Sequence, residues 1–199
     1  MFTGIITQFG IFRGYANGRR TMTVEAPGLP ARLSEGDSLA VNGVCLTVTK
    51  KEGPRLHFDL AQETLDRTNL GALRAGARLN LEPPATLETL LSGHLVTGHI
   101  DGPGRVVRLA ARPPGKRLTV EFAAGLRPYF VLKGSVAVDG VSLTVAALGA
   151  RTFEVELIPA TLKSTTLGAL RPGQAVNIEC DIIGKYVYNY LLLSRAKYS

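Results

Sequence analysis

Residues 38–48 read SLAVNGVCLTV and residues 135–145 read SVAVDGVSLTV, identical at eight of eleven positions. The same offset of 97 relates residues 64–82 (TLDRTNLGALRAGARLNLE) to residues 161–179 (TLKSTTLGALRPGQAVNIE), which match at eleven of nineteen positions. A shorter match opens each copy, with FTGII starting at Phe2 and VTGHI starting at Val96. A chain that repeats itself in this way predicts two related domains and, with them, two related binding sites.

The length of the repeat indicates how the chain is divided. A period of 97 residues is too long for a solenoid repeat and typical of a small domain. We therefore predict one domain over residues 1–92, a second over residues 93–184, and a C-terminal tail over residues 185–199.

Short strands and tight turns dominate both copies. Asn42-Gly43 and Asp139-Gly140, near the centres of residues 38–48 and 135–145, are typical of type I′ hairpin turns. Helices are predicted only at residues 61–68, 126–131, 160–166 and in the tail. The chain is therefore predicted to be all-β, with two tandem homologous six-stranded antiparallel Greek-key barrels followed by a C-terminal α-helix. Closed barrels leave no sheet edge exposed.

The tail has an amphipathic pattern and no counterpart in the first copy. Ile183, Val187, Tyr190, Leu191 and Ser194 fall at positions i, i+4, i+7, i+8 and i+11, which place them on one helical face. Such a face needs a partner, either the same helix in other subunits or the second barrel.

Composition bounds the remaining possibilities. The net charge is +7, but the basic residues are scattered through turns and form no helix-long stripe, which argues against nucleic-acid binding. No apolar run reaches membrane-spanning length and the N-terminus lacks a signal-peptide pattern, so we expect a cytoplasmic protein without a membrane partner. Cys45 and Cys180 occupy non-equivalent places in the two copies, and we expect both to be free thiols, with Cys180 packed in the core.

Two polar triplets follow the predicted turns, Cys45-Leu46-Thr47 and Ser142-Leu143-Thr144. Residues i and i+2 of a strand share a face, so each copy presents a pair of short polar side chains. On a single strand such a pair is usually without function; its recurrence in both copies leaves two interpretations of equal weight, a ligand pocket and a pair without function.

The segment GHLVTGHIDG at residues 93–102 holds two of the three histidines. His94 and His99 are five residues apart and point to opposite faces of an extended strand, which argues against a shared metal, and no metal site is expected. His99 stands where the first copy has Ile5, and such an unmatched histidine is either a general acid or base or a buried, hydrogen-bonded side chain. Asp101 either orients His99 or starts a turn.

The chain resembles the riboflavin synthase family of the alpha-chain type. The resemblance covers nearly the whole chain and rests on motifs that occur in the family's order, namely MFTGI, GDSLAVNGVCLTV, GHLVTGHIDG and KGSVAVDGVSLTV. The resemblance implies that two molecules of 6,7-dimethyl-8-ribityllumazine react, one giving a four-carbon unit to the other, without a cofactor. It also implies a homotrimer held by the C-terminal helix, with association with lumazine synthase as a further expectation.

The resemblance also implies the site residues. The first ligand site would comprise Gly4, Ile5, Ile6, Ser38, Cys45, Leu46, Thr47, Asp59, Glu63 and Thr64. The second would comprise Gly98, His99, Ile100, Lys133, Ser142, Leu143, Thr144, Ile158, Pro159, Ala160, Thr161, Leu162 and Lys163, with Lys133 reaching a neighbouring subunit's ligand. Ala160 stands where the family often has an acidic residue, which leaves only a backbone contact there.

Five residues are expected to act in the reaction: Phe2, Cys45, His99, Ser142 and Asp181. We expect His99 and Ser142 to assist proton transfer at one ligand, and Cys45 to act at the other. The rival hypothesis is a non-enzymatic lumazine-binding protein with the same duplicated fold. A flavin-binding reductase domain is a third class, but the chain contains no nicotinamide-binding domain.

Overall fold

The computed structural model describes the backbone of residues 1–196 and the side chains through Ser194. The first copy forms a closed antiparallel barrel with the strand order β1-β2-β5-β4-β3-β6. Its strands are β1 (Gln8–Ala16), β2 (Thr21–Glu25), β3 (Ser38–Val41), β4 (Val44–Glu52), β5 (Arg55–Asp59) and β6 (Arg78–Glu82). The return of β5 to pair with β2, and of β6 to lie between β1 and β3, gives the predicted Greek-key connectivity.

The second copy forms a second closed barrel with the same connectivity, in the strand order β10-β11-β8-β7-β12-β9. Its strands are β7 (Gly102–Arg112), β8 (Gly115–Glu121), β9 (Ser135–Val138), β10 (Val141–Leu148), β11 (Thr152–Leu157) and β12 (Ala175–Cys180). The predicted all-β class with two homologous six-stranded barrels is confirmed.

Short helices follow the fifth strand of each barrel, as predicted. They are α1 (Gln62–Arg67) and α2 (Pro159–Ser164). Four 3-10 segments complete the connections: Pro30–Arg32, Asn69–Ala72, Ala124–Tyr129 and Thr166–Ala169. The third of these overlaps the helix predicted at residues 126–131.

Both hairpin turns adopt the left-handed backbone that their sequences favour. The φ angles are 46° at Asn42 and 79° at Gly43, and the same values recur at Asp139 and Gly140. Positive φ at both central residues defines the type I′ turn. The two turns face each other, and buried side chains around them join the barrels.

The joint between the barrels is polar. Asn177 Nδ2 donates to Asn42 O and to Asn69 Oδ1, both at 2.9 Å, and Asn80 Nδ2 donates to Asp139 O at 2.9 Å. Asp139 is 3% exposed, and burial raises the pKa of its carboxyl from 3.8 to about 7. Its Oδ1 accepts the N–H of Asn177 and an Nδ2–H of Asn69, which partly offsets the burial.

The tail forms the third helix, α3 (Ile182–Ala196), which begins where Asp181 Oδ1 accepts the N–H of Ile183 at 3.0 Å. One face packs back on the second barrel, because the Tyr188 ring meets Tyr129 edge-on at 5.5 Å. Another part of α3 is exposed, with Tyr186 and Tyr190 each 71% accessible. No helix within residues 1–196 is long and apolar enough to cross a membrane.

Candidate functional site

The opening segment of each copy lies on the barrel of the other copy. The N–H of Cys45 donates to the carbonyl of Gly98 at 2.9 Å, and the N–H of Ser142 donates to the carbonyl of Gly4 at 2.8 Å. Glycine is required at both places, since a Cβ on Gly98 would lie 2.5 Å from Cys45 Cβ, and one on Gly4 would lie 2.6 Å from Ser142 Cβ. Each site is therefore built from both copies.

This exchange groups the residues within one subunit differently from the sequence-based expectation. Phe2 and Val96 pair in an antiparallel bridge, with N···O distances of 2.7 and 3.1 Å, so the two opening segments run past each other. Ile100 then packs against the core of the first barrel and Ile6 against the core of the second. The segment Gly98-His99-Ile100 belongs with Cys45, and Gly4-Ile5-Ile6 belongs with Ser142.

Two buried carboxylates anchor the crossed segments. Glu82 accepts the N–H and the Oγ1–H of Thr3, both at 2.7 Å, and the N–H of Gly4 at 3.0 Å. Glu179 makes the equivalent three bonds to Thr97-Gly98. Burial raises the pKa of both carboxyls, while these donors oppose the rise. Sequence reasoning missed the pair, although both residues close the longest repeat.

The first site is a cavity of about 240 Å³ at the end of the first barrel. Cys45 is half-buried in its wall and His99 is exposed at its rim. The lining comprises Val44, Cys45, Ala61, Glu63, Thr64, Arg67, Thr68, Gly98, His99 and Ile100. A thiol and an imidazole thus share one cavity, an arrangement that suits proton transfer or nucleophilic addition.

The second site contains the other histidine. His94 Nδ1 lies 2.7 Å from Ser142 Oγ, and His94 is only 8% exposed. Burial lowers the pKa of His94, and the carboxylate of Asp181 opposes this effect. Within one subunit the crossed segments carry His99 to Cys45 and not to Ser142, and a joint action of His99 and Ser142 stays a prediction. Sequence reasoning gave His94 no role at the site, although it is the first of the two histidines in GHLVTGHI.

The two polar triplets present alternate residues to the site. Cys45 and Thr47 face outward from the first barrel while Leu46, 5% exposed, points into its core, and Leu143, 8% exposed, does the same in the second. Residues 142 and 144 face outward in the second barrel, and Ser38 pairs with Thr47 across the β3–β4 ladder. The shared face was predicted correctly, and the buried side chains of Leu46 and Leu143 leave their backbone atoms for any contact with a ligand.

The remaining predicted contacts are dispersed. Asp59 Oδ1 accepts the Oγ1–H of Thr21 at 3.2 Å at the end of β5, outside the lining of the first cavity. On the second barrel Ile158, Pro159 and Ala160 are exposed and Thr161 is half-buried. Leu162 and Lys163 line a different cavity, of about 760 Å³ between the barrels, whose lining includes neither Ser142 nor Thr161.

Lys133 occupies a strained backbone position. Its φ is 66°, in the left-handed region, and the equivalent residue of the first copy is Gly36 with φ 94°. The backbone N–H groups of both residues donate to equivalent carbonyls, Lys133 to Val145 at 2.9 Å and Gly36 to Val48 at 2.8 Å. A lysine kept where glycine fits better is often functional, because such strain persists where a side chain is needed.

Asp101 and the two cysteines have structural settings. Asp101 Oδ2 accepts the N–H of Cys180 and lies 2.7 Å from Lys185 Nζ, so its carboxylate holds the last strand and α3 rather than orienting His99. Cys45 and Cys180 are free thiols, as predicted. Cys180 is packed in the second core, and burial raises the pKa of its thiol.

Two related barrels carry Cys45 and Ser142 at equivalent places on their outer faces, each beside a segment from the other copy, and this arrangement defines a duplicated small-molecule-binding protein. The model of the lumazine binding domain matches residues 3–83 and again residues 97–181, and the chain belongs to this family. Relatives named riboflavin synthase are similar over most of their length. The one from Mycobacterium bovis is 44% identical over 198 residues, covering 94% of this chain and 96% of its own, and the one from Bacillus subtilis is 37% identical, covering 96% and 90%.

Solved structures share the fold. LumP in complex with riboflavin superposes with a TM-score of 0.83 at 24% identity, covering 90% of this chain and 99% of its own. LumP in complex with 6,7-dimethyl-8-(1'-D-ribityl) lumazine gives 0.81 at 23% identity, with the same coverage.

Proposed function

We propose that this protein is a riboflavin synthase, which converts two molecules of 6,7-dimethyl-8-ribityllumazine into riboflavin and 5-amino-6-(ribitylamino)uracil. The observation that carries the proposal is the duplication, in which both copies keep an intact polar triplet beside an opening segment. The 44% identity to the Mycobacterium bovis riboflavin synthase over almost the whole chain supports it. A reaction between two identical molecules calls for two similar sites.

The chemistry requires one lumazine to lose a proton from its 7-methyl group and the other to become electrophilic at C7. A base serves the first step, and a nucleophile that adds at C7 serves the second. Holding the two rings in reacting order supplies much of the acceleration, since the bimolecular encounter becomes effectively intramolecular. Four carbons then pass from the donor to the acceptor, and the donor leaves as the diaminouracil.

The geometry supports distinct roles for the two sites. Cys45 and His99 share the first cavity, so the thiol is placed to add to a ring and the imidazole to move a proton there. Ser142 offers a hydroxyl at the second site. Phe2, 1% exposed, holds the crossed segments through its bridge to Val96, and we assign it a positioning role.

We further propose that α3 assembles a homotrimer. Ile183, Val187 and Leu191 are 61%, 54% and 51% exposed, so the apolar face predicted from the sequence is uncovered within one subunit. A trimer of this kind would bring a first site of one subunit against a second site of its neighbour, with Lys133 reaching across. Light scattering measures the mass directly.

The test is turnover. Purified protein is mixed with 6,7-dimethyl-8-ribityllumazine and riboflavin is followed by its visible absorbance, and one riboflavin should form for every two lumazines consumed. Cys45→Ser and His99→Gln should each lower kcat, whereas His57→Gln, on β5 outside the cavity lining, should not. Binding without product would identify a lumazine carrier, and absence of binding would refute the proposal.

A further inference from the structure

The hydrogen bond between His94 and Ser142 has a direction that the surroundings decide. His94 Nδ1 and Ser142 Oγ are 2.7 Å apart, and either atom can carry the shared proton. His94 Nε2 is buried and has no hydrogen-bond partner among residues whose side chains are described. Because burial also lowers the pKa of His94, the ring is neutral near pH 7 and bears one N–H.

A buried N–H without an acceptor is costlier and rarer than a buried lone pair without a donor. If Ser142 donated to Nδ1, the ring proton would sit on Nε2, where the described residues offer no acceptor. If Nδ1–H donates to Ser142 Oγ, only a lone pair is left unpaired at Nε2. The second tautomer is therefore the stable one, and it leaves the Ser142 hydroxyl proton free to point elsewhere.

The backbone holds this arrangement in place. The N–H of His94 donates to Thr3 O at 3.1 Å, within the ladder that pairs the opening segments. Gly93 permits the close approach, because a Cβ there would lie 2.0 Å from Thr3 O and 3.0 Å from Ser142 Cβ. The backbone of His94 is thus fixed relative to Ser142.

We propose that His94 is a positioning residue, which donates Nδ1–H to Ser142 and thereby turns the Ser142 hydroxyl into a hydrogen-bond donor toward a ring carbonyl of the second lumazine. The inference rests on the proposed function for the identity of the ligand, but the tautomer does not depend on it. The first site has no such pair: Cys45 stands in the place of Ser142, and its histidine neighbour, His99, is exposed.

Two variants of His94 separate positioning from mere packing. In His94→Asn the side-chain amide nitrogen occupies about the place of Nδ1 and can still donate to Ser142, whereas in His94→Gln it occupies about the place of Nε2. We expect His94→Gln to raise KM and the Kd for 6,7-dimethyl-8-ribityllumazine at one of two sites by about tenfold, the loss of one hydrogen bond. His94→Asn should stay within about threefold of the parent.

A double-mutant cycle shows whether His94 acts through Ser142. Ser142→Ala should raise KM and Kd by about the same factor as His94→Gln. The double variant should raise them no further than either single variant. Additive losses, or equal losses in His94→Asn and His94→Gln, would overturn the proposal. Circular dichroism and thermal unfolding of each variant exclude loss of fold as the cause.

The tautomer is read from ligand-free protein by long-range ¹H–¹⁵N correlation of the imidazoles, with the His94 signal assigned by its disappearance in His94→Asn. A neutral ring protonated at Nδ1 near pH 7 is the expected result. A ring protonated at Nε2, or at both nitrogens, would refute the inference. If the tautomer is as expected but the parent protein makes no riboflavin, the proposed function fails and the hydrogen-bond assignment stands.

Discussion

Gly43 and Gly140 lie back to back at the joint between the two barrels. A Cβ on Gly43 would lie 2.6 Å from the backbone nitrogen of Gly140, and a Cβ on Gly140 would lie 2.7 Å from that of Gly43. Each is the second residue of a type I′ turn with φ 79°. The hairpins that the duplicated motif encodes thus serve two purposes, since they close the barrels and bring them into contact.

Gly43→Ala should destabilise the protein by about 3 kcal/mol, the sum of the left-handed backbone penalty and the overlap with Gly140. The measurement is urea unfolding, compared with Gly53→Ala. Gly53 also has positive φ, at 58°, but no atom lies within 4 Å of its added Cβ. Gly53→Ala should lower the free energy of unfolding by only about 1 kcal/mol. An equal decrease in the two variants would contradict close packing at the joint.

Asp139 should make stability depend on pH. Its pKa is about 7 in the folded protein against 3.8 in the unfolded chain, so between these values the folded state binds the extra proton. Stability is therefore lost as pH rises from about 4 to 7. Asp139→Asn removes this loss, and above pH 7 the variant should exceed the parent by up to about 4 kcal/mol.

The measurement is the free energy of unfolding of both proteins at pH 5 and pH 8. The first copy provides a natural precedent, because Asn42 occupies the equivalent place with the same φ. The reverse change, Asn42→Asp, should introduce a second carboxyl with a similar penalty at pH 8. If the difference between Asp139→Asn and the parent is the same at both pH values, the burial of an ionisable Asp139 is disproved.

The two barrels could be predicted from the sequence because the residues that specify their strands and turns are close together in the chain. Turn residues such as Asn42-Gly43 and alternating apolar residues on strands specify hairpins without reference to distant contacts. The repeat strengthened these predictions, since each predicted strand or turn could be compared with its equivalent in the other copy. The same argument located the outward-facing Cys45 and Ser142 correctly.

The grouping of the site could not be predicted in the same way. Whether His99 meets Cys45 or Ser142 depends on how two extended segments cross, and the Phe2–Val96 bridge that decides this joins residues 94 apart in sequence. A repeat suggests that each opening segment lies on the barrel of its own copy, and the structure shows the opposite. Such non-local pairing leaves no periodic signal in a single sequence.

The crossed segments predict an effect of one barrel on the site of the other. Glu179 belongs to β12 in the second barrel, yet it anchors the segment that covers Cys45 in the first. In Glu179→Gln an N–H must face the N–H of Thr97 or Gly98, which costs about 1–3 kcal/mol and loosens the segment. Cys45 should then react several-fold faster with a thiol reagent such as dithionitrobenzoate.

The matched control is Glu82→Gln, which loosens the opening segment of the first copy over Ser142 and should leave the reactivity of Cys45 unchanged. Cys180, 1% exposed, serves as an unreactive internal reference. The opposite result would be faster modification of Cys45 in Glu82→Gln and an unchanged rate in Glu179→Gln. It would mean that each carboxylate controls the site on its own barrel, and it would contradict the crossing of the opening segments.

Lys133 allows backbone strain to be separated from side-chain function. Lys133→Gly should relieve the left-handed strain and stabilise the protein by up to about 1 kcal/mol, after the greater chain entropy of glycine is subtracted. Lys133→Ala removes the ammonium group but keeps the strain, so its stability should equal that of the parent. If the lysine reaches a neighbouring subunit's ligand, as we propose, both variants should lose turnover to a similar degree, most visibly as a raised KM for 6,7-dimethyl-8-ribityllumazine.

Unfolding and steady-state kinetics on the same preparations give the stability and the KM of each variant. Full activity in Lys133→Ala would remove the residue from the site and leave its strained backbone without a functional reason.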